Sequence, residues 1–207
     1  MEKLDLSKQF KSYYTAKTQP TIAQIEAAQY LSILGQGDPD DADFGTNIQA
    51  LFTTAYVLKF AYKQKGQDFV VAKLEGLWWF DEKKYAGLSM IESVQKVPRK
   101  TWEYRLLIRM PDYVTAAEVE QAIQTAVAKK QVDRAQNITL HQLNEGKVVQ
   151  MLHIGPFAKE IETLLELGKF MEDKQMARNG LHHEIYLSDF RKTAPEKLKT
   201  ILREPVK

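Results

Sequence analysis

The chain has 207 residues, with 29 basic against 27 acidic side chains, a net charge of +2 and no cysteine. That length suits one large domain or two small ones, and burial of roughly 70% of the unfolded surface holds a core together without a disulfide or a metal. The lack of thiols excludes thiol catalysis, cysteine-ligated zinc and iron–sulfur chemistry, and charges of both signs spread along the chain argue against a concentrated nucleic-acid-binding face. Met1-Glu2-Lys3-Leu4-Asp5 lacks the basic-then-apolar order of a signal peptide. No run approaches the roughly 18 apolar residues of a membrane span, so a cytoplasmic protein without membrane contact is expected.

Residues 1–25 are polar with scattered Phe10, Tyr13, Tyr14 and Ile22, and read as an N-terminal arm packed on a body that spans residues 26–207. A strand at 28–35 runs into Gly35-Gln36-Gly37-Asp38-Pro39, a turn. A helix follows over 43–65, with Asp41 or Asp43 as cap, Ile48, Leu51, Phe52, Ala55, Leu58 and Tyr62 at helical spacing, and Gly66 as its close. Residues 68–79 read as a strand ending in Leu74-Glu75-Gly76-Leu77-Trp78-Trp79, and 81–99 as a charged loop or short helix crossing a cleft. Alternation over 101–109 puts Trp102, Tyr104, Leu106 and Ile108 on one strand face.

Thr115-Ala116-Ala117-Glu118 fits a capping box that opens a helix to about 130, with Val119, Ile123 and Val127 inward. Strands at 137–143 and 147–154 flank Asn144-Glu145-Gly146, which predicts a hairpin. Gly155-Pro156-Phe157 opens another helix to about 173, and strands follow at 182–188 and 198–205. Strand, helix, strand, strand therefore occurs twice, at 28–109 and 147–205, around an insert at 110–145. The fold class predicted is α+β, tandem βαββ repeats related by a pseudo-two-fold axis, with an antiparallel sheet and a central ligand groove.

Successive strand residues face opposite ways, so Trp78 and Trp79 cannot share one core layer. One of them faces a cleft or solvent, and Glu75 nearby makes a wall suited to flat, apolar or cationic molecules. The alternative is a solvated Glu75 and a tryptophan pair clamping two packing layers. Glu184 and Tyr186 share one face of their strand, and a carboxylate beside a phenol can bind a cation or move a proton; a solvent-facing strand edge is the plainer alternative. Phe52, Tyr56 and Phe60 lie on one helix face and serve either a pocket wall or the core. His182 and His183 diverge on a strand and have no third ligand at a useful spacing, so no metal site is expected. No phosphate-binding glycine loop or nucleophile elbow is present, and no cofactor is expected.

Taken together, the Leu74–Trp79 run, Gly35-Gln36-Gly37-Asp38-Pro39, Thr101-Trp102-Glu103-Tyr104 with Pro111-Asp112, Gly155-Pro156-Phe157, His182–Asp189 and Lys197–Arg203 resemble the GyrI-like small-molecule-binding family, in its stand-alone subgroup. The resemblance implies an SHS2-like tandem βαββ fold whose groove holds flat, aromatic or cationic xenobiotics. It also implies kinship with cyclopropanoid cyclopropyl hydrolases, which open the cyclopropane of DNA-alkylating agents inside an aromatic cage. By motif, Glu184 is then the central carboxylate with Tyr186 beside it, and Trp78, Trp79, Trp102 and Tyr104 supply the cage. The competing expectation is a non-catalytic module that sequesters or senses drugs or metabolites. Gyrase or a separate regulator are further candidate partners under the resemblance, and direct contact with nucleic acid is not expected.

Overall fold

Eight strands, several of them buried on both faces, form one antiparallel sheet, described by a computed structural model that covers residues 3–85, 88, 92 and 96–207. The strands are β1 (Thr21–Ile25), β2 (Ala28–Gln36), β3 (Leu74–Trp79), β4 (Glu103–Met110), β5 (Thr139–Leu143), β6 (Gly146–Ile154), β7 (His182–Tyr186) and β8 (Lys199–Pro205). The helices among the described residues include α1 (Leu6–Gln9), α2 (Ala42–Gln64), α3 (Ala116–Lys130) and α4 (Glu160–Asp173). Of the segment expected to cross a cleft, 81–99, residues 86, 87, 89–91 and 93–95 lie outside the described residues.

The two βαββ units are β2-α2-β3-β4 and β6-α4-β7-β8. In the strand order β1-β6-β8-β7-β3-β4-β2-β5 they run towards each other and meet at the β3–β7 pair, where Gly76 faces Glu184 and Trp78 faces His182. Ile48, Leu51, Ala55 and Leu58 of α2 pack on Leu31, Ile33, Leu106 and Ile108, with Val119, Ala122 and Ala126 of α3 in the same core. Leu164, Leu167 and Met171 of α4 pack on Val149, Met151 and Leu202. Each buried Leu, Ile, Val or Met among them contributes about 1.5–3 kcal/mol. Because α2 sits on β2 and β4, and α4 on β6, the central strands β3 and β7 form a floor between the two helices. The capping box at Thr115 and Glu118 is present, whereas Asp41 occupies the N-cap of α2 without a side-chain hydrogen bond.

Two expectations are corrected. β5 and β6 do not form a hairpin: β5 pairs with β2, and β6 with β1 and β8. The partners run in one unbroken register from Thr21–Gln150 and Ile25–Gly146 to Ala28–Leu143 and Ser32–Thr139. β1–β2 and β5–β6 are thus two long strands paired along their length and stepped at residues 26–27 and 144–145, which curls the sheet. Gly146 takes φ +66°, which a side chain would resist, and lets the chain step onward instead of reversing. The third strand begins only at Leu74, because Phe69 instead bridges Leu4 of the arm; Leu4 N–H donates to the Asp68 carbonyl at 3.0 Å and Val70 N–H to the Leu4 carbonyl at 2.8 Å. No described helix is long and apolar enough to cross a membrane.

Candidate functional site

Period-two alternation sends Gly76 and Trp78 of β3, and His182, Glu184 and Tyr186 of β7, to the helix side of the sheet, on the floor between α2 and α4. The Tyr186 hydroxyl donates to Glu184 Oε2 at 2.6 Å and accepts from Trp78 Nε1 at 3.2 Å. These groups meet above Gly76, where a Cβ would stand 2.9 Å from Trp78 Nε1 and 3.1 Å from the Tyr186 hydroxyl. The floor therefore requires glycine at this position.

Aromatic rings surround this pair. Trp78 stacks on Phe44 at 5.7 Å between centroids and touches Tyr104 at 5.4 Å and Trp102 at 6.2 Å. On the other side, Phe157 and Phe190 meet Tyr186 edge-on at 5.9 and 6.4 Å. Tyr104 is itself buried, its hydroxyl accepting from Asn47 Nδ2 at 3.0 Å, so it supports Trp78 from beneath. Tyr56 stands half exposed on α2 and borders a cavity of about 480 Å³, lined also by Phe52, Phe60, Lys130, Phe190 and Arg191. Phe190 joins that cavity to the rings around Tyr186.

The polar groups form a chain. His182 Nε2 lies 3.3 Å from Glu184 Oε1, and its Nδ1 lies 2.5 Å from Glu204 Oε1, while Arg178 Nε donates to Glu204 Oε2 at 3.2 Å. Burial alone would lower the His182 pKa, but Glu204 and Glu184 carry it up to about 10, so this ring is an imidazolium at neutral pH. Burial and the Glu184 charge push the Tyr186 phenol well above its usual range, leaving it a neutral donor. Glu160, the first residue of α4, reaches Thr200 of β8, and its Oε1 is buried without a hydrogen-bond partner. Burial, and then the neighbouring Glu184, hold the Glu160 carboxyl well above the usual carboxylate range.

Of the residues singled out by sequence, Trp78, Trp102, Tyr104, Glu184 and Tyr186 are brought together, and Tyr56 lies along the adjoining cavity. Glu75 and Trp79 are not. Trp79 joins Leu77, Tyr30 and Leu107 on the opposite face of the sheet. Glu75 is fully buried there; it accepts from the Tyr13 hydroxyl and, at 3.4 Å, from the Tyr14 hydroxyl, and it lies 3.1 Å from His183 Nε2. His183 Nδ1 is 2.9 Å from Glu145, which also accepts from Arg203 Nη1 at 2.9 Å. Burial would raise the Glu145 pKa, yet His183 and Arg203 bring it down to about 2. This network ties the arm and the step at residues 144–145 to the sheet. Sequence reasoning missed Glu160, Glu204, Phe157 and Phe190, since their place at the site depends on how α4, β8 and the segment after β7 lie across β7. Among the described residues no group of three or more His, Asp or Glu is placed to hold a metal ion.

A model of the GyrI-like small-molecule-binding domain matches residues 109–207. An uncharacterized conserved protein from Listeria innocua is 36% identical, with a TM-score of 0.88 over 99% of this chain and 100% of that one. A second crystal structure from that organism, of a protein described as a hydrolase, is also 36% identical, with a TM-score of 0.84 over 99% and 100% of the two chains. The EcmrR C-terminal domain, 12% identical over 91% of this chain and 97% of its own, shares the fold with a TM-score of 0.58. Curated proteins include no match. On the near-complete coverage at 36% identity, and on a domain model that spans the second βαββ unit, the chain belongs to the GyrI-like small-molecule-binding family.

Proposed function

We propose that the groove between α2 and α4 binds flat aromatic or cationic xenobiotics in an aromatic cage, and that Glu184 turns this binding into hydrolysis of the cyclopropane of DNA-alkylating agents. The observation that carries the reading is the Glu184–Tyr186 pair, held at 2.6 Å on the groove floor among Trp78, Phe157 and Phe190. Glu184 is a largely buried carboxylate beside a phenol and an imidazolium, and clusters of buried titratable groups of this kind gather at functional sites. A relative 36% identical that is described as a hydrolase supports the same direction.

Stacking on Trp78 and the phenylalanines holds a planar substrate. Glu184 accepts a proton from a water whose oxygen bonds to the cyclopropyl methylene carbon. The strained carbon–carbon bond breaks, and its electron pair moves into the conjugated dienone. The charge that develops on the carbonyl oxygen is met by a hydrogen bond from a neutral donor such as Tyr186, whose single hydroxyl proton turns to it from Glu184 as Glu184 takes the proton of water. The His182 imidazolium gives Glu184 a positive neighbour throughout. The adjoining cavity of about 480 Å³ falls within the ~300–1,000 Å³ range of ligand sites and offers room for the body of the drug.

Incubation with a cyclopropane-bearing alkylator, followed by mass spectrometry, tests the proposal. A product heavier by one water, formed by the protein and not by Glu184→Gln, is expected. Tight binding with the drug returned intact overturns the hydrolytic part and leaves a sequestering or sensing module.

A further inference from the structure

We infer that Glu160 is a second functional carboxyl of the groove, a neutral acid that donates its proton to a carbonyl oxygen of the bound ligand. The inference deepens the hydrolytic reading and rests on it for its catalytic consequence. It starts from Glu160 Oε1, which is buried without a hydrogen-bond partner. A buried polar atom in that state is costly unless something arrives to satisfy it. The atom belongs to the residue that opens α4, at the edge of the same floor that carries Glu184.

The charges facing Glu160 decide its state. On β7 it lies within electrostatic reach of His182, Glu184 and Tyr186; on β8 it bonds to Thr200, and Glu204 lies beyond His182. The positive charge that acts on Glu160 among the described residues, His182, already lies between Glu184 and Glu204. Two carboxylates cannot both ionise beside one another with no further cation. Burial and the Glu184 charge therefore leave the proton on Glu160. Thr200 is the cross-strand partner of Tyr186, so the acid stands alongside the phenol rather than behind it.

An acid and a base side by side complete the proton balance of ring opening. Glu184 takes a proton from water as the new carbon–oxygen bond forms at the methylene carbon. The cyclopropyl bond breaks towards the ring, the electron pair reaches the carbonyl oxygen, and the Glu160 proton moves to that oxygen to give the phenol. One water is added, nothing is oxidised, and the pair is left as Glu184 acid and Glu160 carboxylate. Proton transfer between the two then resets it. A neutral donor here also selects ligands that bear a carbonyl.

Infrared difference spectroscopy reads the proton directly. The probe is a gem-dimethyl cyclohexadienone, which has the substrate's carbonyl without the strained ring. The protein at neutral pH should show a carboxylic-acid C=O band that moves on adding the probe. The band should vanish in Glu160→Gln and, because the Glu184 charge helps hold the proton, should be lost at a lower pH in Glu184→Gln than in the parent. Turnover of a cyclopropyl dienone by Glu160→Gln should fall about 10²–10⁴-fold with KM little changed and with the alkaline limb of the pH profile lost. If the band is missing, or is not moved by the probe, the inference is overturned even where hydrolysis proceeds. A band that moves in a protein that opens no cyclopropane upholds the donor and overturns the hydrolytic reading instead.

Discussion

Replacing Gly76 with alanine tests the geometry of the site without touching a charged group. The new Cβ would stand 2.9 Å from Trp78 Nε1 and 3.1 Å from the Tyr186 hydroxyl, against an ordinary contact of about 3.4–4 Å. Neither ring can simply swing aside. Trp78 is held between Phe44 and Tyr104, and Tyr186 between Phe157 and Phe190. The 3.2 Å hydrogen bond between them must stretch, or β3 must move away from the floor. Overpacking of this kind costs about 1–3 kcal/mol, offset by about 0.5–1 kcal/mol from the lost backbone freedom of glycine, so a net destabilisation centred on about 1 kcal/mol and reaching about 2.5 kcal/mol is expected. Gly168 in α4 is the control, because a Cβ there meets nothing within 4 Å; Gly168→Ala should stabilise the protein by about 0.5–1 kcal/mol. Urea unfolding gives both values, and quenching of tryptophan fluorescence by a planar aromatic dye gives the affinity, which should fall at least several-fold for Gly76→Ala alone. A Gly76→Ala protein as stable as the parent and with unchanged dye affinity would refute the assignment of this floor.

Tyr186→Phe removes the 2.6 Å donor to Glu184 and the acceptor for Trp78; turnover should fall about 10–100-fold while ligand affinity changes little, as steady-state kinetics beside a binding titration would show. The folded-state pKa of His182, about 10, lies above its ordinary 6.5, so its stabilisation is complete below pH 6.5 and is lost as pH rises through 10. Between those limits the loss is on the order of 5 kcal/mol, and His182→Gln should remove this part of the pH dependence in urea titrations; an unchanged slope counts against the ion pairs. Glu145 works in the opposite direction: its pKa is depressed from 4.5 to about 2, so its contribution is present above pH 4.5 and disappears as pH falls to 2, a loss that Glu145→Gln should abolish. Glu75→Gln should loosen the arm by about 1–3 kcal/mol, seen as faster proteolysis within residues 3–20, and leave dye binding in the groove intact.

The tandem βαββ architecture was legible because its signals are local. Helical spacing from Ile48 to Tyr62, the Thr115–Glu118 box and the alternation from Trp102 to Ile108 each fix an element whatever surrounds it. Elements whose form depends on a distant partner were not. Asn144-Glu145-Gly146 has hairpin chemistry, but β5 and β6 find their partners in the β1–β2 ribbon more than a hundred residues earlier in the chain. Residues 68–73 look extended, yet Leu4 claims Phe69. At the site, even spacing rightly put Glu184 with Tyr186. The same rule separates Glu75 from Trp78, three residues on, and reading them as one wall overlooked it. Glu160 is a different matter: nothing in its own neighbourhood distinguishes it from other first-turn glutamates. Only the placement of α4 against Thr200 gives it a role.

The central claim is that Glu184 acts on the chemical step. The most direct measurement is the Kd and the single-turnover rate of Glu184→Gln with a cyclopropyl dienone, set beside those of the parent. The account predicts a rate lower by about 10²–10⁴-fold with a Kd within a few-fold of the parent. Equal losses in rate and affinity, or an undiminished rate, would contradict it.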